Sequence, residues 1–127
     1  MKIKAVTEKY QIPADTLRYW ERVGAIPAVH RDQAGYRNYD QEDLGWIEFA
    51  QCMREAGVSI DYLIEYIDLF RLGEATRSAR KDLLNEQLVG IHQRLARMQK
   101  TYDLIKYKAD HYEEHVEGYH GKLVPPQ

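Results

Sequence analysis

Residues 84–112 read LNEQLVGIHQRLARMQKTYDLIKYKADHY, with apolar or small residues at alternating spacings of four and three. A heptad pattern of this kind predicts a long helix whose apolar stripe cannot be buried by one chain alone. We therefore expect a homodimer joined by a coiled coil. The predicted dimerisation seam consists of Leu84, Leu88, Ile91, Leu95, Met98, Tyr102, Ile105, Ala109 and Tyr112.

The composition limits the classes of protein to which the chain can belong. Its 127 residues have room for one small domain beside the long helix, which disfavours a compact enzyme. The formal net charge is -2, with a small excess of Lys and Arg in residues 1–40. That excess is weak evidence for a nucleic-acid partner unless the cations share one face.

The cysteine content and the hydropathy pattern bear on localisation. Cys52 is the only cysteine, so no intrachain disulfide can form and the chain suits a reducing compartment. The N-terminus alternates charged with apolar residues and has no run long enough for a signal peptide or a membrane span. These features predict a soluble, cytoplasmic protein that does not bind membranes.

Turn residues divide the N-terminal part of the chain into two short helices. A helix is predicted from Ile3 to Tyr10, and residues 11–13 interrupt it before a second helix from Ala14 to Val23. Gly24 suits the C-cap of that helix, and Pro27 prevents its continuation. Two short helices across a tight turn predict a helix-turn-helix unit.

A small β-hairpin is expected after the second helix. Residues 28–31 and 36–39 are short, partly β-prone runs, and Gly35 between them can supply a positive φ. Two helices followed by a hairpin are the order of a winged helix-turn-helix. In that fold the second helix enters the major groove of DNA and the hairpin grips the flanking backbone.

Two further helices are expected to pack on the same core. Asp40 and Asp43 resemble a capping box in front of a helix from about Gln41 to Ala56. Ser59 can cap a fourth helix, in which apolar residues recur at helical spacing. The predicted fold is thus mainly α. The predicted domains are a winged helix-turn-helix over 1–73, a coiled-coil dimerisation helix over 74–117 and an irregular tail over 118–127.

Hydrogen-bond donors on the second helix and the hairpin point to DNA. Cations on both elements favour binding to double-stranded DNA, because Lys and Arg neutralise phosphates. The rival hypothesis, a coiled-coil module that binds protein, gives no reason for cations on both elements. The predicted DNA-binding residues are Thr16, Arg18, Tyr19 and Arg22 on the helix and Arg31, Tyr36, Arg37 and Tyr39 on the hairpin.

Several motifs, in this order and spacing, resemble those of the MerR family of bacterial transcription regulators. They are Thr16-Leu17-Arg18-Tyr19-Trp20-Glu21, Gly24-Ala25-Ile26-Pro27, Gly35-Tyr36-Arg37-Asn38-Tyr39 and Gly57-Val58-Ser59-Ile60. The resemblance covers about residues 3–112. Two positions depart from the family pattern: Gln11 stands where a turn glycine is common, and Pro13 replaces a residue that could cap the second helix.

The resemblance implies a transcription regulator with no catalytic activity. Such a regulator is a homodimer, joined by an antiparallel coiled coil, that binds an inverted repeat in a promoter spacer. It would activate RNA polymerase at that promoter by bending and untwisting the DNA. The resemblance also implies that Arg18 and Tyr19 contact DNA backbone or base edges, and that Tyr36, Arg37 and Tyr39 contact phosphates. Trp20 is expected to pack in the core.

Cys52 is a candidate sensor. The chain resembles the branch of the family that responds to aldehydes or other electrophiles through one cysteine, which would link the regulator to stress. A thiolate is the required nucleophile, and Glu48 and Glu55 oppose its formation. The alternative is a structural Cys52 beside Phe49 and Met53.

The C-terminal part of the chain contains residues that could form a metal or effector site. Residues 111–115 match the H-x-x-E-H metalloprotease signature, but too little chain follows to supply a third ligand and a cleft. Glu117 and His120 could extend it to a small metal site, yet no metal and no cofactor are expected. A noncovalent effector pocket across the dimer is a further alternative, formed by Tyr119, His120 and Leu123.

Overall fold

The computed structural model describes residues 1–117, and this part of the chain is built mainly of helices, as the sequence predicts. The tail, with the pocket residues Tyr119, His120 and Leu123, lies outside the described residues. None of the described helices combines the length and the hydropathy that crossing a membrane requires. The helices are α1 Ile3–Tyr10, α2 Ala14–Val23, α3 Gln41–Glu55, α4 Ile60–Arg71, α5 Arg77–Asp110 and α6 Tyr112–Glu117.

Residues 1–87 form one compact unit, and the chain from Leu88 onward forms a second. The first unit has a core contributed by α1, α2, the wing segment, α3 and α4, and removal of these apolar side chains from water drives its folding. The buried residues of this core are Val6, Ile12, Leu17, Trp20, Ala25, Ile26, Val29, Tyr39, Leu44, Ile47, Ala50 and Leu63.

The turn between α1 and α2 accommodates both departures from the expected sequence. Gln11 adopts a left-handed conformation with φ 55°, and its side-chain amide donates to the Glu8 carbonyl at 2.7 Å. Pro13 precedes α2 and offers no side-chain cap, while the negative charge of Asp15 in the first turn interacts favourably with the helix dipole. Gly24, with φ 84°, ends α2 as predicted.

The predicted hairpin is reduced to a single antiparallel bridge between Arg31 and Arg37. Backbone bonds from Asp32 to Tyr36 at 2.8 Å and from Asn38 to His30 at 2.7 Å close the loop. No strand extends beyond this bridge in the described residues. The end of the second leg also pairs outside the hairpin, because the N–H of Tyr39 donates to the Met1 carbonyl. We call residues 28–39 the wing.

Side-chain caps set the starts of α3 and α4. Asp40 and Asp43 form the predicted capping box, with the Asp43 N–H donating to Asp40 Oδ1 at 2.9 Å. Ser59 accepts a hydrogen bond from the Tyr62 N–H at 3.2 Å. Because these caps satisfy donors that the helices themselves leave free, the sequence determines both boundaries locally.

The first turns of α5 belong to the first unit. A 3₁₀ turn over Gly73–Thr76 connects α4 to α5, and Leu83 packs against Val58 and Tyr62 in a small second cluster. The guanidinium of Arg80 lies 5.3 Å from the centre of the Phe70 ring. These contacts tie the base of the long helix to the α3 and α4 layer.

The second unit consists of the rest of α5 and α6. The long helix predicted over 74–117 is interrupted at His111, and α6 follows from Tyr112 to Glu117. The Tyr107 carbonyl there accepts from both the backbone N–H and the ring of His111. Most seam side chains are exposed in the single chain, among them Leu88, Leu95, Met98, Tyr102, Ile105 and Tyr112.

Candidate nucleic-acid interface

The spacing of residues along α2 places its core residues and its polar residues on different faces of the helix. Leu17 and Trp20 are buried, which confirms that Trp20 packs in the core. Arg18, Tyr19 and Arg22 lie on the exposed side, while Thr16 is half-buried. A helix with 3.6 residues per turn places these two sets on opposite faces, so α2 presents cations and hydroxyls to solvent.

The exposed cations of α2 are held by weak local contacts. Arg18 pairs with Asp15 one turn earlier at 3.2 Å, and the Arg22 guanidinium lies 5.3 Å from the centre of the Tyr19 ring. Surface pairs of this kind contribute little stability. Both arginines can therefore exchange these contacts for an external anion at low cost.

The wing is shaped by Asp32. Its carboxylate accepts hydrogen bonds from the N–H groups of Ala34 and Tyr36, each at 3.0 Å, and pairs with Lys2. The hydrogen bond from Lys2 and those backbone donors hold the pKa of Asp32 below its usual value. At the tip, Arg31 donates to the Gly35 carbonyl at 2.9 Å, and Tyr36 is 70% exposed.

Glu21 connects the inner side of α2 to the wing. Its Oε1 accepts from Arg37 Nε at 2.6 Å, and its Oε2 accepts from the Val29 N–H at 2.7 Å. Arg31 Nη2 lies 4.0 Å from Oε1. Burial raises the pKa of Glu21, but the hydrogen bonds from Arg37 and Val29 outweigh it and hold that pKa below its usual value.

A groove of 330 Å³ lies between α2, the start of the chain and the wing. The structure therefore brings together three of the predicted cations with Tyr36, and it adds Lys2, which the sequence analysis missed. Asp32 is the one acidic residue among those that line the groove. The lining consists of Lys2, Ile3, Arg18, Arg31, Asp32, Tyr36 and Arg37.

Tyr39 does not fit its predicted role at a phosphate. It is 2% exposed and belongs to the core, and its hydroxyl is buried with no hydrogen-bond partner within residues 1–117. Burial raises the pKa of this hydroxyl. The backbone of Tyr39 is paired with Met1, so the ring anchors the wing from below and cannot donate outward in this conformation.

The family is decided by a sequence profile. Residues 1–69 match the family described as MerR HTH family regulatory protein. The chain belongs to this family. It carries the helix-turn-helix of this family of regulatory proteins, in agreement with the resemblance noted in the sequence analysis.

Individual MerR-family proteins are similar over most of the chain. The HTH-type transcriptional regulator AdhR of Bacillus subtilis is 52% identical over 87 residues, which are 68% of this chain but only 62% of AdhR. The match thus spans less than two thirds of that relative.

Solved structures extend the similarity to the whole fold. A MerR-family regulator from Listeria monocytogenes superimposes with a TM-score of 0.85 at 44% identity, covering 93% of this chain and 89% of its own. HiNmlR is a MerR-family regulator lacking the sensor domain, solved bound to promoter DNA. It superimposes with a TM-score of 0.81 at 28% identity, covering 89% of this chain and 90% of its own.

A cluster that the sequence analysis missed lies where the wing of this MerR-family chain meets α3. His30 Nδ1 is 3.0 Å from Asp43 Oδ2 and 3.1 Å from Asp40 Oδ2. The same Asp43 oxygen also accepts the N–H groups of His30 and Asp40. The carboxylates are therefore engaged in capping α3. Hydrogen bonding to Asp43, together with the charges of both aspartates, raises the pKa of His30.

We expect the stability of the protein to decrease as the pH rises through the raised pKa of His30. Histidine in an unfolded chain has a pKa of about 6.5. The contribution of protonated His30 to the stability of the folded state is therefore complete below that value and is lost above the pKa of His30 in the folded protein. Urea unfolding against pH should show a larger alkaline loss for the wild type than for His30→Gln. Parallel profiles for the two proteins would contradict this assignment.

The remaining candidate sites are placed as follows. Cys52 is an exposed free thiol in the last turn of α3. Of the H-x-x-E-H residues, His111 lies at the helix break and His115 in α6. The His111 ring stacks on that of Tyr107 with centroids 4.1 Å apart, and the two histidine rings are 6.4 Å apart.

Proposed function

We propose that the chain acts as a homodimer that binds an inverted repeat in promoter DNA. The observation that carries this proposal is the groove in which Arg18 of α2 lies beside Arg31 and Arg37 of the wing. One surface thus joins donors for base edges with donors for phosphates. Similarity to HiNmlR, whose structure holds promoter DNA, supports the same partner here.

In the proposed complex α2 enters the major groove and the wing lies on the adjoining backbone. Thr16, Arg18, Tyr19 and Arg22 are then placed at base edges and nearby phosphates. Tyr36 is exposed at the wing and Arg31 lies beside it, so both can reach phosphates of the flanking backbone. Arg37 contributes from the inner edge of the groove, and Tyr39 supports the wing from the core.

The dimer is proposed from the seam of α5. Leu95 is 64% and Met98 69% exposed in the single chain, although both are large apolar residues. A row of such residues along one helix marks an interaction surface, and heptad spacing fits a second copy of the same helix. The antiparallel direction of the pairing is carried over from the family.

Two DNA-binding units joined by one coiled coil can act on the shape of their site. A dimer that must reach two half-sites at a fixed separation can bend and untwist the DNA between them. In an overlong promoter spacer this distortion would align the promoter elements for RNA polymerase. We therefore propose activation by DNA distortion, in the cytoplasm where the promoter lies.

Selection of DNA from a random duplex pool tests this proposal directly. We expect the full chain to enrich sequences with two inverted half-sites, because a two-fold symmetric dimer mirrors its symmetry in its operator. The affinity should fall steeply with salt, since phosphate contacts release counterions. Enrichment of no sequence, or of a single unpaired half-site, would contradict the proposal.

We further propose that electrophiles switch the regulator at Cys52. The thiolate sulfur adds to the β-carbon of an α,β-unsaturated aldehyde and forms one C–S bond, while the alkene electron pair takes up a proton at the α-carbon. No oxidant is required. The exposed position of the thiol supports access, and a noncovalent ligand near the tail is the alternative signal.

The turn that carries Cys52 is linked to the helix-turn-helix. Glu48, one turn earlier, accepts a hydrogen bond from the Tyr10 hydroxyl at 2.6 Å, and Gln51 donates to the Tyr10 carbonyl at 2.8 Å. Burial, followed by the contact with Glu48, raises the pKa of Tyr10 to about 12. An adduct on Cys52 would lie beside both links, and displacement of α1 would then move α2.

We expect Cys52→Ser to abolish the response to electrophiles while preserving DNA binding. Treatment with acrolein, an α,β-unsaturated aldehyde, should add one adduct to the wild type and change promoter output in a purified transcription assay. The serine variant should show neither effect, because a hydroxyl is a far weaker nucleophile than a thiolate. Propionaldehyde, which lacks the β-carbon electrophile, is the control reagent. An equal response of the serine variant would show that electrophiles are sensed at a site other than Cys52.

A further inference from the structure

Glu21 is an acidic residue directly behind the groove proposed to meet DNA, in contact with Arg37 of the groove lining. Its side chain is only 12% exposed, and both carboxylate oxygens accept hydrogen bonds from the wing segment. An anion near phosphates opposes binding by simple Coulomb repulsion. We therefore looked to its contacts for a contribution to binding that offsets this repulsion.

The contact with Arg37 shows what that role can be. Glu21 is bound by Nε of the guanidinium, so the two terminal nitrogens of Arg37 are not used by this pair. Neither terminal nitrogen donates a hydrogen bond within residues 1–117, and Arg37 lines the groove. Arg37 is 26% exposed. Its guanidinium is therefore fixed at one edge and open at the other.

Burial makes this arrangement persistent. Separating the pair would leave a nearly buried carboxylate without its cation, which is costly. A planar guanidinium held through Nε has a fixed direction for its remaining N–H groups. The orientation is thus set before DNA arrives, and preorganised donors lose less freedom on binding.

We propose that Glu21 is a positioning residue for DNA recognition, which holds Arg37 by Nε and directs its terminal nitrogens at a backbone phosphate. This inference rests on the proposed DNA-binding function. Glu21 itself does not touch the DNA. Through Val29 it also holds the first leg of the wing, so one carboxylate sets both the wing and its inner cation.

The proposal and the Coulomb effect predict opposite signs for Glu21→Gln. Removal of a negative charge alone would strengthen binding to every DNA sequence. Loss of positioning would weaken binding, because Arg37 and Val29 donate to different oxygens of Glu21, and in glutamine an NH2 group replaces one of these acceptors. The dependence of binding on salt separates the two further. The slope of the logarithm of the binding constant against the logarithm of the salt concentration becomes smaller by about one for each lost phosphate contact.

The test measures the affinity of the 127-residue protein for a selected operator duplex over a series of salt concentrations. We expect Glu21→Gln to weaken binding by about tenfold, the size typical of one charge-assisted hydrogen bond, with a salt slope smaller by about one. Glu65→Gln on the exposed side of α4 makes the same charge change as a control. It should leave affinity and slope at wild-type values.

Two substitutions of Arg37 keep the test valid if Glu21→Gln impairs folding. Arg37→Ala should weaken binding to all sequences similarly and lower the slope. Arg37→Lys should do nearly the same although the charge is kept, because one ammonium cannot serve both Glu21 and a phosphate. Adding Glu21→Gln to Arg37→Ala should cause no further loss, since the residues act as one unit.

The outcomes distinguish this inference from the function on which it rests. Tighter binding by Glu21→Gln with an unchanged slope would overturn the positioning role alone. Full affinity of Arg37→Lys would do the same. Failure of the wild type to bind any selected duplex would overturn the proposed function and this inference together.

Discussion

Leu95→Glu is expected to convert the proposed homodimer to a monomer. Leu95 lies at the middle of the seam and is 64% exposed in the single chain. Each dimer loses two buried leucines, at about 2 kcal/mol each, and gains two carboxylates in an apolar interface. Since about 1.4 kcal/mol is a factor of ten, self-association should weaken by about a thousandfold. Sedimentation equilibrium measures this change directly.

The same substitution should remove specific DNA binding. A monomer presents one α2 and one wing, so it reaches a single half-site and loses the linkage between the two. Gln93→Glu is the matched control, because it adds the same carboxylate to α5 outside the seam. That variant should remain dimeric and bind. A dimeric Leu95→Glu protein with wild-type affinity for DNA would contradict the assignment of the seam as the dimer interface.

Leu17→Ala is expected to destabilise the first unit strongly. Leu17 is fully buried on the inner side of α2, next to the exposed Arg18. Truncation of a buried leucine removes transfer free energy and leaves a cavity, which together cost about 2–5 kcal/mol. The free energy of unfolding from urea titration should fall by that amount with little change in the m-value.

The control for Leu17→Ala is the same substitution at an exposed site. Leu72 follows α4 and is 71% exposed, so Leu72→Ala should change the unfolding free energy by no more than about 0.5 kcal/mol. Equal losses for the two variants would show that α2 is not packed as described. DNA binding of Leu17→Ala should decrease with the folded fraction, since Arg18 and Tyr19 depend on the same helix.

The helices were predictable because their boundaries depend on local chemistry. The bounds of α1 and α2 agree with the prediction, and the Asp40 and Asp43 capping box forms as expected. Gly24 supplies the positive φ that ends α2. Each of these features involves residues within a few positions of one another, so the sequence alone contains the necessary information.

The wing shows where local reasoning was insufficient. Two short β-prone runs on either side of Gly35 predicted a hairpin, but each run also has a partner outside the hairpin. Val29 binds Glu21 of α2, and Tyr39 pairs with Met1. Tyr39 illustrates the same limit for a side chain. A tyrosine in a cationic segment suits a phosphate contact, yet its ring is buried in the core because burial of an aromatic side chain is strongly favourable.

Glu21 and His30 were missed for a related reason. Glu21 stands between cations in the sequence, which was the available signal, but its partners Val29 and Arg37 lie eight and sixteen residues away. His30 is separated from Asp43 by thirteen residues. A buried carboxylate must find partners in the folded chain, and sequence spacing does not identify them.

The stoichiometry and symmetry of the DNA complex test the central claim most directly. Sedimentation of the protein with a selected operator duplex should show two chains per duplex. Replacing one half-site with unrelated sequence should remove most of the affinity that distinguishes the operator from nonspecific DNA. One chain per duplex, or undiminished affinity for the half-replaced duplex, would contradict a homodimer that reads two-fold symmetric DNA through α2 and the wing.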